Sequence, residues 1–183
     1  MSPRSARSVL LAALFLSAAA CSHRPRAPAL QDEPIYQNTR EGFRFVAPEG
    51  WRQFAKSDLP PGPAEKERLL VRYMPPLTGR GSTLEVSLAD LPESTPLADY
   101  LAGPSLGVKQ WKPLGKTETL ELNGQAATRL AFSGRVGKDQ LLKEVTAFRR
   151  GGRVYFFTAL VPKGDNKSRE TIRRAVASTT WKG

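Results

Sequence analysis

The side chains with reactive potential are few, and their spacing decides what they could do. Gly103-Pro-Ser105-Leu-Gly107 fits the G-x-S-x-G pattern of a nucleophile elbow, which would make Ser105 the attacking group of a hydrolase. That chemistry needs a base, and the chain-order expectation is an acid and then a histidine after the serine. The chain has one histidine, His23, and none after it. A serine hydroxyl without a base in reach is a poor nucleophile. The elbow must also follow a strand and open a helix, whereas residues 103–107 follow a helix-like segment. The plain reading is a Gly/Pro loop, and a hydrolase built on Ser105 or on a carboxylate pair is the rival. One histidine and one cysteine cannot assemble a zinc-type site. Asp32 with Glu33, and Asp90 with Glu93, come nearest to acidic clusters but lack the calcium-loop spacing. No G-x-x-x-x-G-K-[ST] phosphate cradle occurs, so no metal and no cofactor is expected.

The sole cysteine, Cys21, has a different setting. MSPRSAR carries Arg4 and Arg7 and no acid, and residues 9–20, VLLAALFLSAAA, follow as an apolar run ending in three alanines. Twelve apolar residues fall short of the roughly 20 that span a bilayer. A basic start, a short apolar middle and a small-residue end are the three parts of a secretory signal. Cys21 directly after Ala18-Ala19-Ala20 resembles the lipobox of bacterial lipoproteins, although Ala18 stands where that class usually has leucine. The resemblance implies cleavage after residue 20, a diacylglyceryl group on the Cys21 sulfur, and sorting to the outer membrane if two membranes are present, since Ser22 follows. Ordinary cleavage leaving a free thiol is the alternative. An unpaired thiol with no partner cysteine is a liability in an oxidising compartment. Two acyl chains make a stable anchor where one does not. Residues 21–41, with prolines and mixed charge, read as a flexible tether.

Charge bounds the partners. The chain holds 28 basic and 17 acidic residues, a net +11. Without residues 1–20, which hold two arginines and no acid, 26 basic residues face 17 acidic ones, a net +9. Such a balance favours anionic surfaces, and export argues against nucleic acid. Arg149, Arg150 and Arg153 fall on one predicted hairpin tip, and Lys167, Arg169, Arg173 and Arg174 on a predicted helix. Together they form the candidate basic binding surface, for anionic lipid or an acidic protein. The alternative is an ordinary solvated helix face and a polar turn.

The elements that must position these residues follow from periodicity. Residues 42–183 are long enough for one domain that needs no disulfide. Phe43 and Phe45 alternate with Arg44, and the turn APEG then predicts a short hairpin over residues 42–54. LLVRYM and TLEVSLADL read as strands, the second half-buried by alternation. Thr95, Pro96 and Gly103 frame a short helix. Asn123-Gly124 between strand-like runs is the preferred two-residue hairpin turn, because both central positions need positive φ. Gly151-Gly152 joins QLLKEVTAFRR to RVYFFTALV in a second hairpin. VYFFTALV is apolar on both faces apart from Thr158, which predicts a central strand covered above and below. Ile172, Ala175, Val176 and Thr179 lie at helical spacing, capped at Asp165 or Asn166. The fold class is therefore α+β, an antiparallel sheet of about six strands flanked by helices.

The order of these elements, with the opening G-F-x-F-x-x-P-x-G-W at residues 42–51, the G-R-V-Y-F-F strand and the closing helix ending at Trp181, resembles the PsbP-like domains. That group includes extrinsic photosystem subunits and many bacterial lipoproteins. The resemblance covers residues 42–183 and implies an α/β/α sandwich acting as a non-catalytic scaffold for partners or small ligands. Its metal contacts do not carry over, because the histidines have no counterparts here. The sequence thus predicts a lipid-anchored extracytoplasmic protein that binds a partner or ligand at the cell envelope. An envelope hydrolase, or a structural spacer acting through the basic face, is the alternative.

Overall fold

Val154 to Val161 run through the middle of the molecule, as their two apolar faces require. The computed structural model describes residues 34–57, 67–76 and 81–182. The strands are β1 (Ile35–Asn38), β2 (Phe43–Val46), β3 (Arg52–Lys56), β4 (Arg68–Met74), β5 (Thr83–Asp90), β6 (Lys112–Pro113), β7 (Glu118–Leu122), β8 (Gln125–Val136), β9 (Asp139–Arg150), β10 (Arg153–Pro162) and β11 (Thr180–Trp181). Two helices, α1 (Leu97–Ala102) and α2 (Asn166–Ala177), complete the set among the described residues.

The main sheet has eight strands in the order β3-β4-β5-β10-β9-β8-β6, with β7 also paired to β8, and all its pairings are antiparallel. Side chains alternate across it, so β10 serves two cores. Val154 and Phe156 face one side with Val145, Phe132, Leu101 and Trp111. Tyr155 and Phe157 face the other with Phe148, Ile172 and Val176. On that second side a three-stranded sheet, β1-β2-β11, packs beside α2. Phe43 there meets Tyr155, Phe157 and Trp181 at ring-centroid distances of 5.8, 5.9 and 5.0 Å. Such contacts add about 0.5–1.5 kcal/mol each beyond the area they bury.

Both predicted hairpins form. Asn123 and Gly124 take φ of 49° and 74°, and Gly151 and Gly152 take 54° and 76°. The Asp165 side chain caps α2 by accepting from the Ser168 N–H at 3.1 Å. Four expectations are corrected. Among the described residues the sheets hold eleven strands rather than about six, and one helix lies on each face, so the α/β/α description fits loosely. The APEG turn does not close a hairpin: β2 pairs with β1 and β11, while β3 pairs with β4. β1 lies inside residues 21–41, so the fold takes in chain that the sequence reads as tether. Thr95 makes no side-chain cap on α1; Arg149 donates to the carbonyls of Pro92 and Thr95 instead, at 3.1 and 2.8 Å.

Candidate functional site

β9 carries two adjacent ionisable residues near its middle, Lys143 and Glu144, and alternation sends them to opposite faces. Both are buried, at 3% and 4% exposure. Lys143 sits against the rings of Trp111 and Phe132, its Nζ 4.6 and 5.0 Å from their centroids. It donates to the Leu101 carbonyl at 2.5 Å and to Ser105 Oγ at 3.4 Å. Leu101 lies in the last turn of α1, where unpartnered carbonyls favour a cation. Burial pulls the Lys143 pKa down to about 8, with only a smaller opposing effect from Glu67. Ser105 itself is exposed, and its Oγ also accepts from Trp111 Nε1 at 2.9 Å. It follows α1 and opens a tight turn, Ser105 N–H bonding to the Val108 carbonyl and the reverse. The strand-to-helix setting of a nucleophile elbow is absent at this serine. A lysine lies beside it, a neighbour the spacing did not predict.

On the opposite face Glu144 receives Arg169 and Arg173. Arg169 donates through Nε and Nη2 at 3.0 and 2.6 Å, and Arg173 through Nε and Nη2 at 2.7 and 2.6 Å. Its cross-strand neighbours Ala131 and Ala159 are small enough to leave room for both guanidinium groups. Burial pushes the Glu144 carboxyl up, but the hydrogen bonds and charges of the two arginines outweigh it and hold the pKa below the usual value. Near the other end of the sheet Glu41, its side chain 5% exposed, accepts from Arg153 at 3.0 Å and from the Tyr155 hydroxyl at 2.9 Å. Arg153 pairs with Asp90 as well, at 3.0 Å.

The seven basic residues of the candidate surface are therefore not brought together. Arg149 reaches over the α1 face, while Arg150 turns to the other face and lies 5.0 Å from the Trp181 ring centroid. Arg153, Arg169 and Arg173 are committed to carboxylates. Lys167 and Arg174 are exposed on α2 and make no ion pair among the described residues. Cys21 and His23 lie outside the described residues. Among the described residues no three His, Cys, Asp or Glu side chains gather as a metal site would need, and no helix is long and apolar enough to cross a membrane.

Positive charge without a partner collects elsewhere. At the far end of β9 from Arg150, the turn joining β8 to β9 stands beside the loop that follows Ser105. Between them lies a groove of about 650 Å³ whose lining includes Lys109, Lys112 and Arg135. Lys138 occupies the turn itself. All four are exposed and make no ion pair among the described residues. The sequence hides them because they come from three segments, each with only one or two charges.

No protein-family model matches the chain, and no curated protein matches it. Solved structures do. The solution structure of cyanobacterial PsbP (CyanoP) from Synechocystis sp. PCC 6803 matches with a TM-score of 0.57 and 18% identity, over 81% of this chain and 92% of that one. A crystal structure from Bacteroides thetaiotaomicron matches at a TM-score of 0.52 and 10% identity, and the match takes in 81% of this chain but only 48% of that one. A protein of unknown function from Pseudomonas aeruginosa, PA94, gives 0.46 at 16% identity over 85% and 88% of the two chains. At these identities the likeness concerns architecture, and on the first of them the described domain has a PsbP-like fold.

Proposed function

We propose that this is a lipid-anchored extracytoplasmic protein whose PsbP-like domain binds a partner or ligand at the cell envelope without catalysing a reaction. The observation that carries the reading is the placement of the sole cysteine, Cys21, directly after a basic start and a short apolar run ending in Ala18-Ala19-Ala20. The PsbP-like fold supports it as a scaffold rather than a reaction vessel. The commitment of Glu41 and Glu144 to the half-buried Arg153, Arg169 and Arg173 is consistent with structural use of charge. The test is acylation and fractionation. The parent should take up a fatty-acid label and sediment with membranes, while Cys21→Ser loses the label. Affinity capture from the native envelope then identifies the partner. Parent protein without label, with Met1 attached and recovered from the cell interior, would overturn the reading.

One observation favours a second reading. Lys143 lies 3.4 Å from Ser105 Oγ with its pKa drawn toward neutrality, which is the activation a serine nucleophile needs in the absence of histidine. Against it, the same amine donates at 2.5 Å to the Leu101 carbonyl, and the serine stands on an exposed loop. Covalent labelling by a fluorophosphonate, lost in Ser105→Ala and in Lys143→Met, would establish it; no labelling of the parent would remove it.

A further inference from the structure

We propose that the end of the molecule formed by the Ser105–Val108 turn and the β8–β9 turn docks on an anionic phospholipid bilayer. Two apolar side chains stand out there, Leu106 at 36% exposure and Val136 at 40%. They belong to one surface: a methyl group added at Gly107 would lie 3.6 Å from Val136. Leu106 is held at a φ of 55°, a left-handed conformation that costs an ordinary side chain about 1–2 kcal/mol relative to the right-handed one and costs glycine nothing. An apolar side chain kept strained and wet at a turn is a feature that packing and local propensity both oppose.

Around these two stand Lys109, Lys112, Arg135 and Lys138, with Asp139 the acidic residue among them. Apolar tips within a ring of unpaired cations match the two layers of an anionic membrane surface, hydrocarbon beneath and phosphate above. A nucleic acid would take the charge and leave the two aliphatic tips in water. The turns are also stiffly supported. Gly134, next to Arg135, is close enough to Trp111 that a methyl group there would come within 2.8 Å of the indole, and Trp111 is 1% exposed.

The position of the chain's entry fits. Pro34 accepts from the Ala47 N–H, and β1 runs from there toward Glu41, which pairs with Arg153 at the opposite end. β1 thus runs away from the end of the sheet where the two turns lie. Twelve residues lie between Cys21 and Pro34, and the thirteen steps span at most about 45 Å when fully extended. This orientation rests on the membrane-side reading above, but its measurement does not, so the two can fail separately.

The experiment uses the full chain carrying Cys21→Ser, with vesicles of phosphatidylcholine alone and of phosphatidylcholine mixed with phosphatidylglycerol. The apolar run at residues 9–20 would partition into both, so the reading is the gain on adding phosphatidylglycerol. Binding should rise with the anionic lipid, fall with salt, and slow hydrogen exchange at residues 105–112 and 134–140. Lys109→Glu with Lys138→Glu should cut the gain at least about tenfold, while Arg149→Glu with Arg150→Glu leaves it. Leu106→Gly should melt no lower than the parent yet bind less, which separates docking from folding. A gain that survives the Lys109 and Lys138 reversal overturns the proposal. So does protection confined to residues 149–153, no gain at all, or the same residues shielded by a second copy without lipid.

Discussion

Lys143 shows how a single buried charge becomes a stability term. An unfolded lysine ionises near 10.5 and this one, folded, at about 8. Between those values the unfolded chain holds a proton that the folded chain has released, so stability rises with pH across the window. Below about pH 8 the desolvation cost is present in full. Urea unfolding of the parent and of Lys143→Met should therefore diverge between about pH 8 and about pH 10, the parent gaining up to about 3 kcal/mol on the variant. Parallel curves would mean that the amine keeps its proton. Tyr73 and Tyr155 do not confuse this window, because burial in both, and for Tyr155 its bond to Glu41, raise them to about 12. Their contribution is intact below pH 10 and lost as pH rises through 12. Neither Lys143 nor Glu144 was singled out as a site from the sequence. Two adjacent charges inside QLLKEVTAF do carry a signal, since in a strand covered on both sides one charge must enter each core.

At the scale of elements, local signals were legible and distant pairings were not. The two hairpins follow from Asn123-Gly124 and Gly151-Gly152, whose conformational demands lie within the turn. β11 pairs Thr180 with Arg44, and no periodicity in either two- or four-residue strand announces a partner so remote in sequence. The turn at Asn123 also has a second use that the dipeptide does not reveal. Its Nδ2 donates to the carbonyls of Ala177 and Thr179, both at 2.9 Å, which ties the β7–β8 hairpin to the end of α2. Asn123→Gly keeps the backbone conformation and loses the tie, whereas Asn123→Ala loses both. Thermal unfolding should rank parent above glycine above alanine, with the alanine variant about 1–2 kcal/mol below the parent. Equal losses would show that only the turn matters. The residues of the basic surface are divided for a related reason. Neighbours in sequence on a strand face opposite ways, and this splits Arg149 from Arg150, while the unpaired cations come from separate loops.

For the molecule as a whole, one sheet serves two cores. Trp111 reports on the α1 side and Trp181 on the α2 side, and β9 and β10 contribute to both. Neither core can open while the other keeps those strands paired, so unfolding should be a single transition. Variants retaining only Trp111 or only Trp181 should give superimposable urea curves by fluorescence; separated midpoints would divide the fold. On the α2 side carboxylates bind arginines at Glu41 and Glu144, and the unpaired positive charge beside the groove is left at the end of the sheet where β8 turns into β9. The small sheet has a further consequence. Its third strand, Thr180 and Trp181, is laid against Arg44 and Phe43, with Arg44 and Thr180 136 positions apart. A polypeptide synthesised from its N-terminus must wait for Thr180 and Trp181 before the aromatic layer can shut. A chain that stops before Thr180 would leave that sheet with one face open to chaperones and proteases.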